Sequence, residues 1–494
     1  MTHLSPPPGS LSQQAYREDP DSRQVRRVLW TLLLGGTVVS FSNSALNPAI
    51  PVFMSIFSVD IVTGSWLLNG YVLAMSVGLM LSGYLSKAFY FKQVYICAIT
   101  GFMMGSVLGM SATSLSLIII ARVIQGLAGG LIIPLSIGLL YQVYPSAQQG
   151  RAMALWGIVI MMSLAFGPLV GAFLVAHFAW WTLFAITLPL SALVVAMAMK
   201  WLPWLPEHQA PKTRHKPFDK KGFMGLLLWL LALSLWLNTL KSDSAMQSNG
   251  LIQLVLLAGF VITAIIWWRY EQRQSNPLLN VNLFANKTYL HSTILSITQT
   301  IGLMMGLLFL PIIIQQIMHK SAMWTGLVLM FATLIASVTT HIAGGIVDKY
   351  GARDIGSAGV VISAASMLML AWGLATPNIW LMMLVMGVQG VGTGLAYLPT
   401  TTVGLSSLDK PMVTEGAALN NISRRIVSTL FIALATLYIN GEGLGILIKL
   451  MPSLSEAHAL VAPMQEVFVG LAMLLLMTLI SARQLPSGLS DNSE

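Results

Sequence analysis

Apolar residues run through this chain in blocks of roughly twenty, without the polar–apolar alternation of a half-buried strand. A bilayer core of about 30 Å is crossed by roughly 20 helical residues. Fourteen stretches meet that length: 28–50, 64–86, 93–112, 115–140, 151–176, 180–200, 222–240, 250–268, 289–316, 323–346, 355–375, 379–402, 413–438 and 463–482. The pattern predicts an all-α polytopic membrane protein with fourteen transmembrane helices.

Composition narrows the class. Of 494 residues 56% are hydrophobic and 9% charged, against about 25% charged in soluble domains. One cysteine, Cys97, excludes a disulfide framework, an iron–sulfur cluster and a Cys-based zinc site. A net charge of +9 belongs, in such a protein, to cytoplasmic loops facing anionic lipid, so nucleic acid is not an expected partner. No Walker loop, metal-ligand cluster or nucleophile elbow occurs, so neither an enzyme nor a cofactor or metal site is expected.

Residues 1–27 are polar, with a Pro6–Pro8 run, and the apolar stretch that follows is too long for a signal-peptide core. With the N-terminus inside, 20 of the 26 Lys and Arg residues fall in inner segments. Three lie in outer loops (Lys241, Lys320, Lys449) and three in spans (Arg122, Arg424, Arg425). That bias puts both termini in the cytoplasm. The expected organisation is a cytoplasmic tail at 1–27, a six-helix bundle at 28–200 and a basic, Pro-punctuated linker at 201–221. An extra two-helix hairpin at 222–270, a second six-helix bundle at 271–482 and a cytoplasmic tail at 483–494 complete it.

The chain also resembles itself. Gly83-Tyr-Leu-Ser-Lys87 after the second span matches Gly344-Gly-Ile-Val-Asp348 after the tenth, 261 residues on. Gln125-Gly126 with Gly130 matches Gln389-Gly390 with Gly394 at a spacing of 264, as Arg151-Ala-Met-Ala-Leu155 matches Glu415-Gly-Ala-Ala-Leu419. Two halves in the same orientation, separated by an even number of extra spans, give this pattern. It is the parallel-repeat plan of transporters with a midplane site between the halves.

Several segments together resemble one family. GGIVDKYGAR from Gly344 is similar to the major facilitator superfamily loop motif G-x-x-x-D-R/K-x-G-R/K, with Gly344, Asp348, Gly351 and Arg353. In the first half GYLSKAFYFK keeps Gly83 but has Lys87 in the Asp position, and Ala88 and Tyr90 replace the basic residue and second glycine. ARVIQGLAGG around Arg122 resembles the fourth-helix motif R-x-x-Q-G, and SLAFGPLVGA, with Gly167, Pro168 and Gly171, the fifth-helix antiporter motif. With fourteen spans, LNPAIP at Leu46–Pro51 and NPLLNVNLF at Asn276–Phe284, the chain resembles the drug:proton antiporter-2 family, of the EmrB/QacA type. The resemblance implies a major facilitator fold of two six-helix bundles plus two extra helices. It also implies export of small amphipathic compounds or drugs across the bacterial inner membrane, protons as coupling ion and, in double-membraned bacteria, a periplasmic adaptor as partner.

The candidate residues carry two readings each. Gly344, Asp348, Gly351 and Arg353 form either a conformational latch, in which Asp348 accepts hydrogen bonds from a helix end or an arginine, or a tight charged turn. Gly167-Pro168 breaks the helix ladder and serves as a hinge or as a static kink. Arg122 within a span costs several kcal/mol unless paired, which points to gating of a protonation or binding of an anionic group; the alternative is pairing with carbonyls. Arg424 and Arg425 either face a polar cavity or snorkel to the interface. Asn43, Asn47, Gln125, Gln299, Asn420, Asn421 and Arg424 are cavity candidates, or interhelical hydrogen-bond pairs. No acidic residue lies near a span centre, and Glu415 and Asp60, at span ends, are the carboxylates available to carry a proton. The resulting expectation is proton-coupled antiport by alternating access. The rivals are a dedicated exporter of an anionic metabolite, such as a carboxylate siderophore, and a transport-inactive scaffold of the same fold.

The topology is directly testable. Reporters fused at residues 245 and 494 should give an external and a cytoplasmic signal respectively. A cytoplasmic signal at 245 would remove the fourteen-span reading.

Overall fold

Wherever the apolar stretches are described, they are helices. The structure is a computed structural model and describes residues 23–144, 146–203, 219–239, 250–274, 277, 279–409, 412–440 and 461–487. Most of the expected linker at 201–221, the outer loop at 439–462 and both chain ends lie outside the described residues, as do the side chains of Lys87, Arg151 and Asp348. In order come α1 (Arg23–Ala45), a 3-10 turn (Asn47–Ala49), α2 (Ile50–Ile56), α3 (Ile61–Ala88), α4 (Phe91–Met110), α5 (Leu115–Val143) and α6 (Ser146–His177). A four-residue turn of helix precedes α7 (Thr187–Trp201), α8 (Lys220–Thr239) and α9 (Gly250–Arg273). There follow α10 (Lys287–Ile312), α11 (Ala322–Tyr350), α12 (Ala352–Gly373), α13 (Ile379–Ala396), α14 (Leu398–Ser406), α15 (Val413–Asn440), α16 (Val461–Met477) and α17 (Leu479–Arg483). Thirteen described segments are long and apolar enough to cross a membrane, and α8 adds a helix of 20 residues. The protein is an all-α polytopic membrane protein.

Prolines correct two span boundaries. The first stretch is not one helix over 28–50: α1 starts at Arg23, and the chain turns through Asn47–Ala49 before continuing as α2. Pro48 and Pro51 supply no N–H to the ladder, which ends α1 and removes Asn47 from the helical i,i+4 register with Asn43. The stretch at 379–402 likewise divides at Tyr397, where Pro399 sits in the first turn of α14. At the far end, residues 484–487 are tied back to the protein: Leu485 is fully buried and Gly351 bridges to Ser487.

The chain forms two compact units. In the first (Met1–Phe57, Trp66–Thr213, Thr325–Met330), Leu32 and Val39 of α1, Tyr95 and Phe102 of α4, Leu135 and Leu139 of α5 and Val194 of α7 share a buried core. In the second (Ser58–Ser65, Arg214–Trp324, Phe331–Glu494), Leu295, Val360, Ala396 and Leu485 belong to one. There α8 and α9 pair through Trp229, stacked on Phe260 and Trp267 at 5.8 Å, and Trp267 donates its indole N–H to the Gly222 carbonyl at 2.9 Å.

Each unit contains the same helix crossing. In the first, Gly126 and Gly130 of α5 lie on the Tyr71 and Met75 carbonyls of α3. In the second, Gly390 and Gly394 of α13 lie on the Ala332 and Ala336 carbonyls of α11. The glycines are 264 residues apart and the carbonyls 261, the two spacings read in the sequence repeat. A Cβ at Gly390 would come within 2.6 Å of the Ala332 oxygen, and one at Gly394 within 2.7 Å of Thr339 Cβ. The absent side chain is what permits the approach. Gly394→Val and Gly130→Val should each cost about 1–3 kcal/mol of stability, read as a lower unfolding midpoint in detergent. Gly344→Ala should be silent by the same assay, since nothing lies within 4 Å of its Cβ position; equal losses would disprove the packing account.

Candidate functional site

In the first unit the polar groups gather around Arg122. It stands seven residues, about 10 Å, into α5 and is 1% exposed. Its Nε donates to the Leu67 carbonyl at 3.3 Å, and Nη1 lies 3.3 Å from the Ser42 carbonyl, 3.4 Å from Ser42 Oγ and 3.1 Å from Gln125 Oε1. The Tyr71 ring covers the guanidinium at 4.0 Å, and the Tyr71 hydroxyl donates to the Val39 carbonyl. Gln125 passes the network on by donating to Ser106 Oγ at 2.9 Å, and the Thr187 hydroxyl meets that same oxygen at 2.8 Å. Helices α1, α3, α4, α5 and α7 are therefore joined by one chain of neutral dipoles around a single cation. Charge-assisted hydrogen bonds contribute about 1.5–3 kcal/mol each, enough in number to offset the several-kcal/mol cost of burying the charge.

The second unit repeats the frame without the cation. Gln389 of α13 accepts from Ser366 of α12 and donates to Thr393 at 3.3 Å, while Ser363 donates to Gln299 of α10 at 2.9 Å. Gln125 and Gln389 are 264 residues apart and their serine partners 260, whereas the position 264 residues after Arg122 is Met386. Gln125, Gln299 and Asn420 are buried interhelical ties; Asn420 bonds Ser296 and Thr293 of α10. Of the asparagine candidates, Asn43 and Asn421 are partly exposed and Asn47 is buried in its turn.

The second unit's own membrane cation is Arg424, eleven residues or about 16 Å into α15. That depth is near the middle of the Glu415–Ile439 span rather than at its edge. Its Nη2 donates to Asn421 Oδ1 at 2.5 Å, and its Cζ lies 4.7 Å from the Tyr397 ring centroid. Glu415 is exposed at the start of α15, where Asn280 donates to it at 3.2 Å. Nine residues at about 3.6 per turn put Glu415 on the opposite side of the helix from Arg424. Asp60 accepts from the Thr63 N–H and so begins α3.

The motif residues divide. Gly351, with φ 84°, makes the turn between α11 and α12, a conformation that favours glycine. Arg353 donates Nε–H to the Leu485 carbonyl at 3.1 Å, so it anchors the segment after α17. Gly344 is open, and the side chains of Asp348 and Lys87 lie outside the described residues. On α6, Gly167 and Gly171 press against Ser44 and the Ala45 backbone of α1, with Pro168 inside a continuous helix.

Sequence reasoning missed a set of polar residues. Ser42, Tyr71, Ser106 and Tyr397 carry no motif, although a hydroxyl or ring among apolar residues, in register with Arg122 or Arg424, is a usable signal. It also passed over two buried carboxylates at the ends of α8 and α9. Asp219, 9% exposed, accepts from the Gly222 N–H and Tyr270 hydroxyl at 2.8 Å each, and Glu271, fully buried, accepts from the Leu279 N–H at 3.2 Å. An apolar groove of about 430 Å³ lined by Leu85, Phe89, Cys97, Ile124 and Leu131 contains none of the candidate residues.

Comparison with known proteins gives consistent matches. The chain matches the Major Facilitator Superfamily over residues 32–432. It is 26% identical over 441 residues to the multidrug resistance protein B homolog of Mycobacterium tuberculosis (strain ATCC 25618 / H37Rv), covering 86% of this chain and 79% of that one. It is 26% identical over 415 residues to the multidrug export protein EmrB of Haemophilus influenzae, covering 83% and 80%. Among solved structures, a POT family transporter in complex with a thioalcohol-conjugated peptide superposes with a TM-score of 0.66 at 13% identity, covering 92% of this chain and 94% of that one. At that identity the likeness concerns the fold.

Proposed function

This chain belongs to the Major Facilitator Superfamily, and from that premise we propose that it exports small amphipathic compounds across the bacterial inner membrane by alternating access, in exchange for protons. The relatives named for multidrug export and resistance, aligned over more than four fifths of the chain, support export as the direction. The observation that carries the reading is the Arg122 cage: a fully buried membrane cation whose described partners are all neutral. A structural cation is most cheaply neutralised by a carboxylate. One held by dipoles alone keeps its field available, and that field favours the ionised form of any acid brought near it.

Alternating access needs two bodies that each stay rigid while they rock. The paired glycine crossings and the two Gln–Ser ties supply that rigidity within each half. In this reading the 344–353 turn is the cytoplasmic latch, with Lys87 as its counterpart in the first half, and Gly167-Pro168-Gly171 sets the packing of α6 on α1. The 1–27 and 483–494 tails and the 201–221 linker are cytoplasmic, and Glu415 is the carboxylate assigned to carry the proton. A periplasmic adaptor is a partner to look for in a double-membraned host.

Inverted membrane vesicles test the proposal. Amphipathic fluorescent dyes should accumulate when the lumen is acidified, and a protonophore should abolish the accumulation. Substrate-driven proton movement in liposomes should vanish in Glu415→Gln and persist in Asp60→Asn. Downhill substrate movement that does not move protons makes the protein a facilitated exporter, and absence of any flux removes the transport reading.

A further inference from the structure

Of the three arginines within spans, Arg122 and Arg424 are in different conditions. Arg122 has four acceptor contacts and an aromatic face. Among the described residues, Arg424, at mid-span in α15, has one hydrogen bond, to Asn421, and the Tyr397 ring. Its Nε is enclosed with no hydrogen-bond partner. A single bond takes only one of the N–H donors that a guanidinium carries. In an apolar surrounding, donors left over are expensive, and a native structure tolerates them where something else completes the group.

Its described neighbours do not complete it. Asn420 is committed to Ser296 and Thr293. Glu415 lies on the opposite side of α15, bonded to Asn280. Arg425, next in the chain and half-buried, adds a second positive charge. The ring is presented deliberately by the backbone: Pro399 breaks the run from α13 to α14 at Tyr397, the residue whose ring faces the guanidinium. A planar fork with one edge fixed by an amide and one face by a ring is oriented to receive two oxygens of one oxyanion.

We infer that Arg424, oriented by Asn421 and Tyr397, binds the anionic head of the exported compound, so that the substrate class is a monoanionic amphiphile: a carboxylate or sulfate on an apolar body. The inference rests on the export reading above and narrows it. A cationic amphiphile with the same tail meets two like charges on α15 and is disfavoured.

The test uses purified full-length protein in nanodiscs, with decanoate, decyl sulfate, decanol and decyltrimethylammonium as matched probes. Decanoate and decyl sulfate should bind more tightly than the other two. Arg424→Gln should weaken both anions by about tenfold or more, which is about 1.4 kcal/mol, and leave decanol within about twofold. Tyr397→Phe, which keeps the ring, should be silent, whereas Tyr397→Leu should weaken the anions. Arg424→Lys keeps the charge without the fork, and its unfolding midpoint guards against a folding defect. Anion affinity unchanged in Arg424→Gln, no anion binding to the parent protein, or cation binding equal to anion binding each overturns the inference. Loss of decanoate binding in phosphatidylglycerol discs but not in phosphatidylcholine discs assigns the site to a lipid headgroup and also overturns it. Export of the decyl cation alone in vesicles would leave the transporter reading standing while this inference falls. Binding as expected without any flux would do the reverse.

Discussion

A guanidinium in a bilayer must be satisfied by the protein around it, and the first unit is built about that requirement. At 1% exposure the guanidinium has little access to water that could replace an unmade hydrogen bond, so every donor of Arg122 that finds no oxygen counts against the fold. Oxygens come from α1, α3 and α5 at 3.1–3.4 Å. Those helices must stand in one register for the cage to close. The Tyr71 ring holds its place through its own bond to the Val39 carbonyl, and Gln125 extends the order to Ser106 on α4. One charge therefore fixes four helices, and glycine at 126 and 130 lets α3 and α5 come close enough for it.

Much of this was legible in the chain. Uninterrupted apolar stretches in lipid can only be helices, which is why the helical class and most spans followed from length alone. The repeat was legible as well, because close backbone contact admits only glycine. Positions 126, 130, 390 and 394 therefore kept a spacing that later proved to be that of two equivalent helix crossings. What hydropathy could not show is where a helix breaks without changing composition. Asn47 and Tyr397 sit at such breaks, and the prolines that cause them looked like ordinary members of apolar runs.

The site was less legible than the fold. Arg122, Gln125 and Arg424 were visible because charge and amide stand out against lipid-compatible residues. Their partners were not, since Ser42, Ser106 and Tyr397 acquire meaning only through contacts between helices distant in sequence. Of the residues read as cavity-lining or as interhelical pairs, Gln125, Gln299 and Asn420 are buried and bonded between helices. An amide in a span signals a partner, and sequence does not say whether that partner is a neighbouring helix or a ligand. Arg353 shows the same limit, because its bond to the Leu485 carbonyl joins residues 132 apart.

In the proposed reading Arg122 is a working charge as well as the tie that holds its helices. Its backbone acceptors, the Ser42 and Leu67 carbonyls, lie within helices, so replacing the guanidinium by an apolar side chain of similar length leaves few groups stranded. The measurement is Arg122→Met assayed twice in the same preparation, for gradient-driven flux in vesicles and for the thermal unfolding midpoint. Flux should fall by about tenfold or more, about 1.4 kcal/mol of barrier, with the midpoint lowered but a single cooperative unfolding transition retained. Flux retained at the parent rate, or lost only because that transition is gone, would contradict the reading.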